Sequence, residues 1–166
     1  MVALPILQRV DPGKDKQVKI SIAGDISTLP TSQETIFFFN VLGVPPKTVG
    51  NELKASIQSQ LKVFYRPKAL PKYKEMGWTE EMTVEKTRGG LLLHNPSPYH
   101  IIIYGFTSKG ESKITTKDII LKPFSSENVQ VKLSGNIVNI FIVNDFGGGS
   151  RLSYDCINNS CTLIQR

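Results

Sequence analysis

Turn-forming residues interrupt this chain so often that no long element fits between them. Asp11–Gly13, Pro45–Pro46, Asn95–Pro96, Gly110, Gly135–Asn136 and Gly147–Gly149 are the main breaks. The stretches they separate are short and rich in Val, Ile, Leu and Phe, the side chains that suit a pleated surface. Val18, Ile20 and Ile22 alternate with polar neighbours, as a strand with one covered face does. Glu34–Val44 is near-continuously apolar, the pattern of a strand covered on both faces. Residues 89–94, 99–106, 119–121, 129–133, 137–143 and 151–154 repeat the strand texture. Short strands with frequent turn signals predict an all-β sandwich or barrel. At 40% hydrophobic residues the chain can furnish a core.

Two stretches read differently. In Asn51–Tyr65, Leu53, Ile57, Leu61 and Phe64 recur at helical spacing, and Asn51 would cap a helix. The same segment also alternates as a strand through Leu53, Ala55, Ile57, Ser59, Leu61, Val63 and Tyr65. The pattern alone leaves both open. Pro67–Arg88 is rich in Lys, Glu and Pro, with Trp78 its one large ring, and reads as a connector. The expected organisation is an N-terminal β unit over residues 1–70, a linker over 71–87 and a C-terminal β unit over 88–166.

Several function classes are excluded by what the residues are. No apolar run approaches the ~18 residues of a spanning helix, so membrane insertion is not expected. Lys and Arg total 20 against 14 acids, a net charge of +6. The lysines are scattered singly rather than clustered among aromatics, so no nucleic-acid partner is expected. His94 and His100 have no evident nucleophile and acid companions, and Gly147–Ser150 is not followed by the Lys of a phosphate loop. The chain is therefore not expected to be an enzyme or to carry a cofactor. Cys156 and Cys161 flank four residues that can form a hairpin loop, so a disulfide is expected, with two free thiols as the alternative. Zinc would need two further ligands, and both histidines lie far upstream. A disulfide implies an oxidising compartment, yet Met1–Arg9 carries no charged leader followed by an apolar stretch.

An ordered series of motifs adds a second line of reasoning. Leu29–Pro30, Glu34–Val41, Pro45–Lys47, Asn51–Leu53 and Leu61–Pro67, then Leu91–Tyr99, Asn144–Gly148 and the closing Cys156 and Cys161, together resemble the periplasmic chaperones of chaperone–usher pili. The resemblance implies two immunoglobulin-like β-sandwich domains, the first incomplete at its N-terminus. It also implies that Asn51–Tyr65 is an edge strand lent to pilin (fimbrial) subunits by β-augmentation. Leu53, Ala55 and Ile57 would then point outward from an exposed edge into a subunit groove. Lys62 matches the cleft lysine that holds the subunit's C-terminal carboxylate. Glu34, Arg66 and Asp145 match an ion-pair triad between the two domains. The short stretch from Pro46 to Asn51 resembles the short-loop branch serving rod-like pili tipped by adhesins. An outer-membrane usher is the implied second partner, and the periplasm the implied location.

Two such domains take about 200 residues, and the 166 here place the expected shortfall at the front, with the signal peptide and opening strands. The arginine that shares the carboxylate with the cleft lysine has no counterpart, and Arg9 is not given its role. The competing reading is a generic immunoglobulin-like adhesion or pilus structural module, to which the Asn158–Ser160 sequon would be suited.

Overall fold

A computed structural model describes residues 1–46, 53–108 and 118–165. The signals at Lys47, Asn51 and Gly110, and the short connection from Pro46 to Asn51, lie outside the described residues. The chain is all-β: β1 (Val2–Leu4), β2 (Lys19–Ser21), β3 (Thr35–Gly43), β4 (Ile57–Tyr65), β5 (Thr83–Thr87), β6 (Gly90–Asn95), β7 (Ile101–Ser108), β8 (Ile119–Leu121), β9 (Ser125–Gln130), β10 (Ile137–Val143), β11 (Gly149–Ile157) and β12 (Ser160–Gln165). Short 3-10 turns occur at Ile26–Thr28 and Gly77–Glu81. The strands fall into two compact units, residues 1–31 with 35–66 and residues 32–34 with 67–166.

In the first unit β1 pairs antiparallel with β2, and β3 pairs antiparallel with β4 from Thr35 opposite Tyr65 to Gly43 opposite Ile57. The strand reading of residues 57–65 therefore prevails over the helical one. Pairing with β3 along the whole of β4 supplies backbone hydrogen-bond partners that β-branched and aromatic neighbours favour. β3 departs from expectation in one respect. Its apolar run predicts cover on both faces, yet none of its residues is buried, and Phe38 and Leu42 are about half exposed (49% and 55%). Ribbons of two strands present too little surface to enclose their own side chains. Every buried hydrophobic residue among those described lies between Leu70 and Cys156.

The second unit is one antiparallel sheet of order β8-β7-β10-β11-β12-β5-β6-β9. Leu91 and Leu93 of β6 share a core with Ile101, Ile103 and Phe106 of β7, Val138, Ile140 and Ile142 of β10, and Leu152 and Tyr154 of β11. Strands from both halves of the sheet meet there, so the sheet folds over on itself as a sandwich must. Alternation produces this directly: in β10 the even-numbered residues are buried and the odd ones half-exposed. Residues 71–87, which read as a connector, bring Trp78, Met82 and Val84 into the same core. The β11–β12 hairpin turns on Asn158 and Asn159, both left-handed (φ 49° and 72°), a conformation asparagine tolerates. The turn sets Cys156 directly opposite Cys161, and the two are disulfide-bonded.

Candidate functional site

The β3–β4 ribbon comprises only those two strands, so among the described residues no strand pairs with the outer edge of β4. An unpaired edge presents backbone N–H and C=O groups in register to any extended chain. Exposure along β4 is graded: Ile57 to Leu61 are exposed and Lys62 to Tyr65 half-buried. Ile57 is 73% exposed and Leu61 52%. Leu53, fully exposed, and Ala55, also exposed, lie just ahead of β4 rather than within it. Of the three apolar residues assigned to the edge, only Ile57 belongs to the paired strand, at its first position. The register is pinned beside it by Gln60, whose side-chain amide donates to Asn40 Oδ1 at 3.1 Å. Lys62 stands opposite Phe38, half-buried, on the β4 face that also carries Gln60 and Phe64.

Glu34 precedes β3 but packs with the second unit. Its backbone N–H donates to the Pro98 carbonyl at 2.8 Å. Its carboxylate, 1% exposed, accepts from the His100 backbone N–H at 2.9 Å and lies 2.8 Å from His100 Nδ1. With a carboxylate as acceptor, the imidazole proton sits on Nδ1 and donates to Oε2. A buried carboxylate needs such donors, because uncompensated charge in the interior is costly. In the sequence His100 has no evident acid companion, and the structure supplies one in Glu34. The available signal was the place of His100 directly after Pro96–Tyr99, a segment too constrained by two prolines to join a strand.

Asn95 locks that segment. Wholly buried, its amide donates to the carbonyls of Tyr99 (2.6 Å) and Lys122 (3.0 Å), while Oδ1 accepts from the Ser97 N–H (3.0 Å) and hydroxyl (2.7 Å). Tyr99 then stacks on Trp78 with ring centres 4.7 Å apart and donates its hydroxyl to the Pro71 carbonyl at 2.5 Å. Tyr73 meets both rings edge-on. Deeper in the core, the Tyr154 hydroxyl donates to the Met82 carbonyl at 3.1 Å. Burial, with a smaller contribution from the Glu80 charge, pushes that phenol well above its ordinary range.

Arg66 is exposed immediately after β4, before the buried Pro67. Asp145 sits in the β10–β11 turn, shaped by its neighbour: Asn144 Oδ1 accepts from the N–H groups of Phe146 (3.0 Å) and Gly148 (2.8 Å). Gly147 is left-handed there (φ 79°), and a Cβ on Gly149 would fall 2.4 Å from the Tyr104 hydroxyl oxygen. The three glycines are thus a tight turn that holds Asp145 at its tip.

Known proteins resemble this chain over most of its length. Residues 1–71 match the pili and flagellar-assembly chaperone PapD N-terminal domain, and residues 74–154 the pili assembly chaperone PapD C-terminal domain. The chain is 31% identical over 166 residues to the Escherichia coli chaperone protein PapD, covering 98% of this chain and 69% of that one. It is 35% identical over 174 residues to the chaperone protein PmfD of Proteus mirabilis, covering 100% of this chain and 68% of PmfD. The crystal structure of the E. coli chaperone DraB superposes with a TM-score of 0.74 at 26% identity, covering 93% of this chain and 74% of DraB.

Proposed function

The chain belongs to the PapD-type family of pili-assembly chaperones, and from that premise we propose that it holds pilin subunits on the open edge of β4 and delivers them to an outer-membrane usher in the periplasm. The family is one of assembly chaperones, not catalysts. The reading rests on one observation above all: among the described residues β4 keeps an unpaired edge that carries exposed Ile57 and Leu61. A subunit lacking one strand completes its sheet by pairing with that edge, the backbone giving affinity and alternate side chains giving register. Burying Leu53 and Ile57 in the subunit groove contributes about 1.5–3 kcal/mol each. Ala55 between them calls for a shallower pocket. Lys62 binds the subunit's C-terminal carboxylate, a compact ammonium meeting a chain end. Glu34, Arg66 and Asp145 form the ion-pair set that fixes the two units, with the forked guanidinium shared between acids.

The test is co-purification. The chain is co-expressed in the periplasm with a strand-deficient pilin, alongside Ile57→Asp and Gln58→Asp; Gln58 alternates to the opposite face of β4. The expected result is a one-to-one complex that Ile57→Asp abolishes and Gln58→Asp largely preserves. Undiminished capture by Ile57→Asp would refute the edge assignment.

A further inference from the structure

We propose that a cleft at the tip of the second unit, between the β5–β6 hairpin and residues 131–134, binds a small phosphate ester. The cleft encloses about 510 Å³, within the span of ~300–1,000 Å³ typical of small-molecule sites. Lys86, Arg88 and Lys132 line it, and among the described residues no lining residue is acidic. Glu85, the nearest acid along the chain, alternates to the opposite face of β5.

The arrangement is built rather than incidental. Lys86 is half-buried, its ammonium donates to the Gly135 carbonyl at 2.5 Å, and its backbone N–H donates to the Asn159 carbonyl at 2.7 Å. An ammonium carries three donors, so one fixes the group in place and two remain for a ligand. Arg88 is exposed at the hairpin turn, where its planar fork can meet two oxygens of one phosphoryl group. Lys132 supplies a third cation from the other wall. The walls stand close because position 90 is glycine: a Cβ there would fall 1.9 Å from the Val129 carbonyl oxygen. Three separated cations match a group with three peripheral oxygens and close to two negative charges. A carboxylate, with two oxygens and one charge, leaves part of the set unanswered. The cleft exceeds a bare phosphate ion in size, and partly buried Leu133 offers the remaining contact to an organic moiety.

The test is an NMR titration of the ¹⁵N-labelled 166-residue chain at low salt with glycerol 3-phosphate. Inorganic phosphate and phosphatidylglycerol vesicles are run as separate arms. The expected result is saturable shifts confined to residues 86–91 and 131–135, with a Kd below about 1 mM that rises with ionic strength. Lys86→Met should weaken binding about tenfold or more. Arg88→Gln, which alters only an exposed side chain, should weaken it several-fold and keeps the test decisive if Lys86→Met unsettles the hairpin. Inorganic phosphate should bind more weakly; equal affinity would overturn the ester assignment. Response to vesicles alone would overturn a small-molecule site in favour of a lipid surface. Absence of saturable shifts, or shifts indifferent to Arg88→Gln, would overturn the proposal altogether.

Discussion

Asn95→Ala should be among the most damaging single changes in the second unit, although it removes only a few atoms. The side chain is wholly buried and makes four hydrogen bonds, two donated and two accepted. Each is worth a net ~0.5–1.5 kcal/mol, so losing all four costs about 2–6 kcal/mol. The larger part of that range is expected because the Tyr99 and Lys122 carbonyls and the Ser97 donors would stay inside without their partner. Against a typical stability of about 5–15 kcal/mol, the loss is a large fraction. Trp78 is the sole tryptophan and stacks on Tyr99 inside this unit, so its fluorescence reports the unit's unfolding. With an m-value of about 2 kcal/mol/M, the middle of the range for urea, the midpoint should fall by about 1–3 M. Asn95→Asp keeps one acceptor but turns a second oxygen toward the two carbonyls, and should be no milder. Asn128→Ala, on the exposed face of β9, should leave the midpoint nearly unmoved. A midpoint for Asn95→Ala within error of Asn128→Ala would refute the reasoning, because those four bonds would then carry no net stability.

Reducing the Cys156–Cys161 disulfide should lower stability by only about 2 kcal/mol, the loop-entropy value for so short a closure; urea curves with and without reductant on the Trp78 signal measure it, and outright unfolding on reduction would contradict it. Tyr154 holds its proton beyond its ordinary range, so the folded unit binds more protons than the unfolded chain once pH passes the ordinary phenol value of about 10. Stability from this group is therefore complete below about pH 10 and lost as pH rises above it. Tyr154→Phe should flatten that alkaline decline while costing about 1 kcal/mol at neutral pH through the lost bond to Met82; an unchanged alkaline slope would contradict it. Amide hydrogen exchange should be slow in β7 and β10, whose side chains form the core, and much faster in β3 and β4. Protection of Thr35–Gly43 equal to that of β10 would show that the exposed apolar residues of β3 do not govern its stability.

What the sequence made legible divides along the range of the forces involved. The strands of the second unit could be read residue by residue, because alternation in β10 or β6 is the direct imprint of a one-sided core. The disulfide was legible for the same local reason: two asparagines between Ile157 and Ser160 permit the left-handed turn that sets the cysteines opposite each other. Residues 57–65 were not legible from pattern, since Leu53, Ile57, Leu61 and Phe64 serve a helix as well as a strand does; pairing with β3, across the intervening chain, decides it. β3 misled in the other direction, because a continuous apolar run records what a strand can bury and not how many neighbours it has.

The site shows the same division more sharply. That Ile57 and Lys62 lie on one strand could be read from their motif, since a strand offers its side chains in sequence order. The pairing of His100 could not be read so, because its link to Glu34 spans 66 residues and depends on a segment that Asn95 folds from beneath. The Glu34 carboxylate is held by a backbone N–H and an imidazole, donors supplied by the fold around Pro98. A carboxylate so buried cannot be traded for an apolar residue without stranding both donors, and trading His100 removes one of the donors that hold it. The pair therefore ties residues 32–34, the lead-in to β3, to the second unit as a matter of electrostatic necessity. That necessity makes Glu34 more informative than its exposed acidic neighbours: a surface acid records only solubility, whereas a buried one with two fixed donors records where the chain had to be held.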